Sequence, residues 1–265
     1  CVYRPPLLAT GQVQVKVLDV GQGLSVLLQT RSHQMLFDMG RGNANSVVLP
    51  ALQSVGLQEA DALVLSHADA DHDGAAASLL RQFRFRQIWA GQGEAYGHWS
   101  THDCRGEAWQ WDGVWFEWLT LPRSKVASTT NAQSCVLRVV TQGQALLIPA
   151  DTGKEEEAAL LQQYGQQLHS TVLLLGHHGS SGSNSSAWLN AVAPELAIAS
   201  SGFRNNYHHP TAAVQTRLRA HGIKLYRTDT QGSMAVLLDG NLTVLPRAGP
   251  RFWWQRKPLD ATNRK

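Results

Sequence analysis

His67, Asp69, Asp71 and His72 fall within six positions of the string Ser66-His67-Ala68-Asp69-Ala70-Asp71-His72-Asp73-Gly74, directly after the apolar run Ala62–Ser66. Imidazole and carboxylate together are a ligand set for a borderline-to-hard divalent ion such as Zn²⁺ or Mn²⁺. A loop at a strand end can aim alternate side chains into one pocket, and a following helix can fix His72. The arrangement recurs twice: Asp151 follows the run Ala145–Pro149, and His177 follows Ser170–Leu175. Three separated strand ends presenting His or Asp make a metal site, with His67, Asp69, Asp71, His72, Asp151 and His177 as its ligands.

The elements that must carry these residues can be read from hydrophobic period and turn residues. Strands are expected over Val13–Leu18, Leu24–Gln29, Met35–Asp38, Ala62–Ser66 and Gln87–Ala90, with a hairpin around Asp112-Gly113 inside Trp109–Leu121. Further strands are expected over Ser134–Val140, Ala145–Pro149, Ser170–Leu175, Leu196–Ser200 and Lys224–Tyr226, and a closing hairpin over Ser233–Leu238 and Asn241–Leu245. Helices are expected over Asn45–Gly56, Asp73–Phe83, Lys154–Tyr164, Ser185–Val192 and Thr211–Ala220. Strands in clusters with helices between them, in both halves, fit two facing sheets with helices outside.

The chain has 265 residues, 43% of them hydrophobic and 16% charged, which excludes a disordered polypeptide and suffices for a core. No run approaches the roughly 18–20 apolar residues of a membrane helix. The formal charge of +3 is compatible with a phosphate-bearing partner without requiring one. Cys1, Cys104 and Cys135 form no C-x-x-C pair and no even set, so they leave the redox compartment open. The chain opens at Cys1 with no charged-then-apolar leader, and the expectation is a piece of a longer protein: one domain over residues 1–250 and a basic tail over 251–265.

The strings carry a resemblance. Ser66–Gly74 with Asp151 and His177 resembles the metallo-β-lactamase superfamily, whose pattern is H-x-H-x-D-H, a later His, a bridging Asp and a last His. Within it, Leu18–Gly23, Phe37–Gly40, Asn131–Ser134, Ala150-Asp151, Gly176–Ser180, Phe203–Pro210 and Tyr226–Gly232 resemble the C-terminal domain of ComEC-type DNA-uptake proteins of natural competence. These strings lie in order over about residues 13–245. The resemblance implies an α/β (α+β) fold, the αββα sandwich of two mixed sheets flanked by helices. It also implies one or two divalent metal ions and no organic cofactor, with Mn²⁺ favoured over Zn²⁺ or Mg²⁺. Asp69 stands where most relatives have a second His, and Asn131 where a third would be. One ion position is then well formed, by Asp71, His72, Asp151 and His177. The other is poor, by His67, Asp69 and Asp151.

Around the ligands, the resemblance makes Asp38 a carboxylate that orients a ligand His. Asp19, in a Gly-flanked turn, fits an Asx turn as well as a role beside the site. His178 and Ser180 are placed to meet a phosphate or leaving group. In Phe203–Pro210, Arg204 and Asn205 suit hydrogen bonds to phosphate, and the resemblance favours His209 as a general acid beside the metals. Thr228 is expected near the pocket. Asp71, Asp151, His178 and His209 are thus the catalytic candidates, and Arg204, Asn205, Ser180 and Thr228 the substrate-binding ones. Trp99, Trp109, Trp111, Trp115 and Trp118 suggest base stacking, but packing on the sheets is the expectation. His33, His98, His102, His169 and His221 lie outside any ligand spacing.

Two metals roughly 3.5–4 Å apart can clamp the attacking and leaving oxygens of an in-line displacement at phosphorus. The implied function is a metal-dependent nuclease that degrades the non-transforming strand during DNA uptake. Its partners would be single-stranded DNA, held by its backbone, and the membrane channel and other domains of the parent protein. That parent would sit in a bacterial inner membrane with this domain on the extracytoplasmic side. The rivals are a hydrolase of a small ester, thioester or lactam, and a DNA-binding or gating module without turnover.

Overall fold

The computed structural model describes residues 8–125 and 129–246. The expected tail over 251–265 and Cys1 lie outside the described residues. In chain order the strands are β1 (Val13–Val17), β2 (Val26–Gln29), β3 (Gln34–Phe37), β4 (Glu59–Leu65), β5 (Arg84–Ala90), β6 (His102–Asp103), β7 (Trp109–Trp111) and β8 (Val114–Trp118). They continue as β9 (Leu137–Val140), β10 (Ala145–Ile148), β11 (Val172–Leu174), β12 (Leu196–Ala199), β13 (Lys224–Arg227), β14 (Met234–Leu238) and β15 (Thr243–Pro246). The helices are α1 (Val48–Ser54), α2 (Ala70–Asp73), α3 (Ala76–Leu80), α4 (Lys154–Tyr164), α5 (Ser186–Val192), α6 (Ala212–Ala220) and α7 (Thr228–Gln231).

The strands form two mixed sheets. One runs β15-β14-β1-β2-β3-β4-β5-β6, antiparallel up to β3 and parallel from β3 onward. The other runs β13-β12-β11-β10-β9-β8-β7, parallel from β13 to β10 and antiparallel beyond.

Alternation decides which face meets the partner sheet. In β1, Val13, Val15 and Val17 are buried while Gln14 and Lys16 are half-buried, and Val15 joins Val26, Phe116, Leu137, Leu146 and Ile198 in the core between the sheets. β3, β4, β10 and β12 instead read as near-continuous apolar runs because both faces are covered. Leu36, Leu63 and Leu65 pack under Val48, Leu52 and Leu79 of α1 and α3. Leu147, Leu173 and Ala197 pack under Leu160, Trp188, Leu189, Val214 and Leu218 of α4, α5 and α6. The order is helices, sheet, sheet, helices, as the sequence leads one to expect. Among the described residues no helix is long and apolar enough to cross a membrane.

Two differences from expectation matter. The single helix expected over Asp73–Phe83 is two short ones, and the first begins at Ala70, so Asp71 and His72 are helical. The break lies at Gly74 and Ala75, where Ala75 N donates to Gly40 O at 3.3 Å and a Cβ on Gly74 would come within 3.2 Å of Arg41 Cα. Second, Cys104 and Cys135 form a disulfide across 31 residues, both sulfurs buried in the core between the sheets. An odd count in the sequence did not reveal that pair.

Candidate metal centre

All of the ligand candidates sit at one end of the sandwich. β3 ends in Asp38, β4 in Ser66-His67, β10 in the stretch to Asp151, and β11 in His177-His178. The backbone there departs from regular geometry: Asp38 (φ 55°), Ala150 (φ 48°), His177 (φ 49°) and His178 (φ 56°) all have left-handed conformations. Such conformations cost free energy in non-glycine residues and persist where surrounding structure over-determines them. Here the turn is pinned by His177 N donating to Ala150 O at 2.9 Å.

Asp38, fully buried, organises the histidines. It accepts from Ser66 N at 2.8 Å, from Ser66 Oγ at 2.6 Å and from His72 Nδ1 at 2.7 Å. The last contact makes Nδ1 of His72 the protonated nitrogen and leaves a lone pair on Nε2. The Ser66 hydroxyl has one proton, given to Asp38, so it accepts from His67 Nδ1 at 3.0 Å, which leaves a lone pair on His67 Nε2 as well.

These lone pairs converge with carboxylates. His72 Nε2 lies 3.1 Å from Asp151 Oδ1 and 3.2 Å from His178 Nε2. His178 Nε2 lies 3.4 Å from Asp71 Oδ2 and 3.6 Å from Asp151 Oδ1. His67 Nε2 lies 3.6 Å from Asp69 Oδ2, and the His67 and His72 rings are 4.1 Å apart. Two groups have donor atoms all within 4.8 Å of one another: His67, His72 and Asp151, and Asp71, His72 and His178. His67 Nε2 and Asp151 Oδ1 are buried without a hydrogen-bond partner. Buried polar atoms are nearly always satisfied. Orphaned acceptors of two chemical types pointing together fit a cation.

The electrostatics agree. For His72, burial opposes protonation, but the charges of Asp151 and Asp38 outweigh it and hold its pKa well above the ordinary histidine value. Burial pushes Asp71 up, yet His178 and His72 bring it down to about 2. Asp151 likewise resists its burial and is held well below the usual carboxylate range by His72 and His178. Without a metal ion, the carboxylates are held as anions and a proton on His72 meets part of their charge, a proton that a bound cation would displace.

The family profile of the metallo-beta-lactamase superfamily matches residues 18–202 of the chain. The chain belongs to that superfamily. It is 45% identical over 260 residues to competence protein ComA of Neisseria gonorrhoeae, a match covering 97% of this chain and 37% of that protein. It is 32% identical over 251 residues to recombination protein 2 of Haemophilus influenzae, covering 92% of this chain and 31% of the relative. The chain thus spans about a third of the length of the curated relatives it matches. Among solved structures it resembles Igni18, a metallo hydrolase of Ignicoccus hospitalis, with a TM-score of 0.59 at 15% identity over 85% of this chain and 99% of that one. Fold and superfamily support a metal-dependent hydrolase, and the fold implies divalent metal ions.

Within this metallo-β-lactamase fold, His67, Asp71, His72 and Asp151 meet as the sequence suggests. At the last histidine the geometry differs from expectation. His178, 3% exposed, lies inside the cluster, whereas His177, 37% exposed, reaches only Asp151 Oδ2 at 3.6 Å. Two consecutive left-handed residues turn the pair away from strand alternation, and no spacing rule reveals that. Asp69 is 38% exposed, and its carboxyl is lowered chiefly by the neighbouring His67, 3.6 Å away, which outweighs partial burial. Asn131 Oδ1 accepts from Thr130 Oγ1 at 3.1 Å.

The loop after β12 borders the site. Burial and the charges of His178 and His177 bring His209 down to about 4, so it is the neutral imidazole near neutral pH, unlike the general acid expected. Its ring lies 5.8 Å from that of His177, and its buried Nδ1 has no hydrogen-bond partner. Asn205 does not face outward to phosphate: its amide donates to Gly202 O and His209 O and accepts from His209 N. Thr228 is fully buried, its hydroxyl accepting from Ser201 N at 2.9 Å and donating to Ser201 O at 3.0 Å, so it anchors the loop instead of contacting substrate. Arg204 is exposed, and Ser180 Oγ accepts from Gly182 N at 3.2 Å. Asp19 accepts from Gly21 N at 3.3 Å in its turn, which packs so closely that a Cβ on Gly23 would meet Asp71 O at 2.2 Å.

The sequence offered no signal for several supports. Tyr96 OH donates to Asp73 Oδ2 at 2.9 Å and contacts His67 O at 3.1 Å, while Gln92 Oε1 accepts from Ala68 N at 2.8 Å. Both come from the segment after β5 and brace the ligand loop. Ser134 Oγ, 3.4 Å from His67 Nδ1, belongs to the strand segment stapled by the disulfide.

Proposed function

We propose that this domain hydrolyses phosphodiester bonds of single-stranded DNA with one or two divalent ions, Mn²⁺ favoured, as the nuclease of a DNA-uptake protein of natural competence. The observation that carries the reading is the buried meeting of Asp71, His72, Asp151 and His178, with His67 Nε2 and Asp151 Oδ1 orphaned beside it. Similarity to proteins named for competence and recombination supports the DNA-uptake setting.

His72, His178, Asp71 and Asp151 would hold the better ion, and His67, Asp151 and Asp69 a weaker one. A bound divalent ion would supply Lewis-acid stabilisation of a phosphoryl group and lower the pKa of nearby water. The chain's own residues do the rest. Asp38 and Ser66 fix the tautomers of His72 and His67, so both present Nε2 lone pairs without reorganisation. Arg204, exposed on the bordering loop, supplies a bidentate donor for a backbone phosphate. His209, as a neutral imidazole, is a hydrogen-bond partner and not a proton reservoir.

On this reading the parent protein sits in a bacterial inner membrane, with this domain outside the cytoplasm. The Cys104–Cys135 disulfide supports that side, because such bonds persist in oxidising compartments.

Cleavage of a labelled single-stranded oligonucleotide with Mn²⁺, Mg²⁺ or Zn²⁺ tests the reading. Metal-dependent cutting is expected, falling by about a thousandfold or more in Asp151→Ala. A folded, metal-loaded protein that cuts no DNA with any of the three would contradict it.

A further inference from the structure

Most large apolar side chains in the described residues are covered; Trp115, Phe203, Tyr207 and Leu245 are the exposed ones. Phe203 (42% exposed) and Tyr207 (60%) lie on one loop, the one that carries His209 to the metal centre. Their exposure is not the slack of a loose segment. Ser201 is tied to Thr228 on both its N–H and its carbonyl, and Gly202 packs so tightly on the Gly21-Gln22 turn that a Cβ would approach Gln22 N to 2.7 Å. Asn205 braces the loop across its mouth to Gly202 and His209, and Thr211 N donates to Gly179 O at 3.0 Å beyond it. A braced loop that holds two aromatic rings in water is preorganised for something that covers them.

The rings also have a direction. Tyr207 stacks on His209 at 5.5 Å and 25°, and His209 stands 6.3 Å from His178 at 30°, so near-parallel rings step outward from the ligand cluster. Arg204 lies over the Phe203 ring at 5.3 Å, which places a guanidinium beside the aromatic surface. Exposed aromatic rings with a guanidinium against one of them match a nucleotide: a base to stack and a phosphate to pair.

We propose that Phe203 and Tyr207 form a stacking platform for an unpaired nucleobase next to the phosphodiester at the metal centre. This rests on the phosphodiesterase reading above and names what selects its substrate: a base free of its duplex partner. The tryptophan cluster does not serve here, since Trp109 stacks on Trp89 and Phe116 at 5.4 and 5.2 Å within the protein.

The test compares a short single-stranded oligonucleotide with identical ones in which a single abasic site is scanned along the chain. Binding is followed by fluorescence anisotropy in EDTA, so no cleavage is needed, and cleavage with Mn²⁺ is followed separately. The intact strand is expected to bind about tenfold more tightly than the best-placed abasic strand, and to show that advantage in KM more than in kcat. Tyr207→Ala or Phe203→Ala should shrink the ratio toward one, Tyr207→Trp should restore it, and Trp115→Ala should leave it intact. Base-dependent binding without cleavage would uphold the platform and sink the nuclease reading. Cleavage with no preference for the intact strand would do the reverse. Equal binding of intact and abasic strands, or binding of neither, overturns the platform.

Discussion

The two sides of the candidate metal centre share Asp151 but are built differently. On one side Asp71, 21% exposed, and His178, 3% exposed, close a set of donors screened from water. On the other, His67 is fully buried while its partner Asp69 is 38% exposed, and Asn131 has its oxygen engaged by Thr130. On the function proposed above, that difference would make two ions bind unequally. Ligand strength depends on donor number and on how fully water is excluded, and the His67 side falls short on both.

The largest effect is expected on the better-held side. His72→Ala removes a donor of the better ion and leaves Asp38 buried without its imidazole, so metal binding and cleavage should fall by about a thousandfold or more, read by titration and by turnover. Next, Asp38→Asn loses the carboxylate that fixes the His72 tautomer, and metal affinity should drop by about 10–100-fold with the ligands all present. Because Asp38 holds His72 directly and His67 through Ser66, Mn²⁺ titration should show both sides weakened together. Loss at one side only would break the symmetry argued for Asp38.

Asp69→His sharpens the comparison from the weak side. A second imidazole there should raise affinity for the weaker ion by about tenfold and move its preference toward Zn²⁺, seen in competition between Zn²⁺ and Mn²⁺. The smallest effect is in the metal-free protein. Asp71, brought from its ordinary 3.8 to about 2, contributes stability that is complete above 3.8 and is lost as pH falls toward 2. Asp71→Asn should therefore flatten the acid limb of the stability curve by on the order of 1–2 kcal/mol. Asp69→Asn, at an exposed carboxylate, should change it far less. Urea unfolding between pH 2 and pH 6 in EDTA measures both (about six points suffice to define the limb).

Much of this was legible before the fold. Strand alternation in Val13–Val17, the apolar runs leading into Ser66 and Asp151, and the helix Lys154–Tyr164 all lie where period and turn residues put them. The ligand string was legible because metal chemistry restricts residue types and spacing. What could not be read depends on backbone path. Consecutive left-handed residues at His177 and His178 decide which imidazole points inward, and alternation says nothing about such a turn. Thr228 and Asn205 read as phosphate contacts, since a hydroxyl and an amide carry no mark of whether they will face a ligand or the loop's own carbonyls. Tyr96, Gln92 and the Cys104–Cys135 pair act across folds of the chain that no local pattern encodes.

The most direct test titrates Mn²⁺ into the metal-free wild type, His178→Ala and His67→Ala by calorimetry. One tight ion is expected in the wild type, lost in His178→Ala and kept in His67→Ala, where only the weaker binding disappears. Tight binding that survives His178→Ala and vanishes with His67→Ala would contradict it.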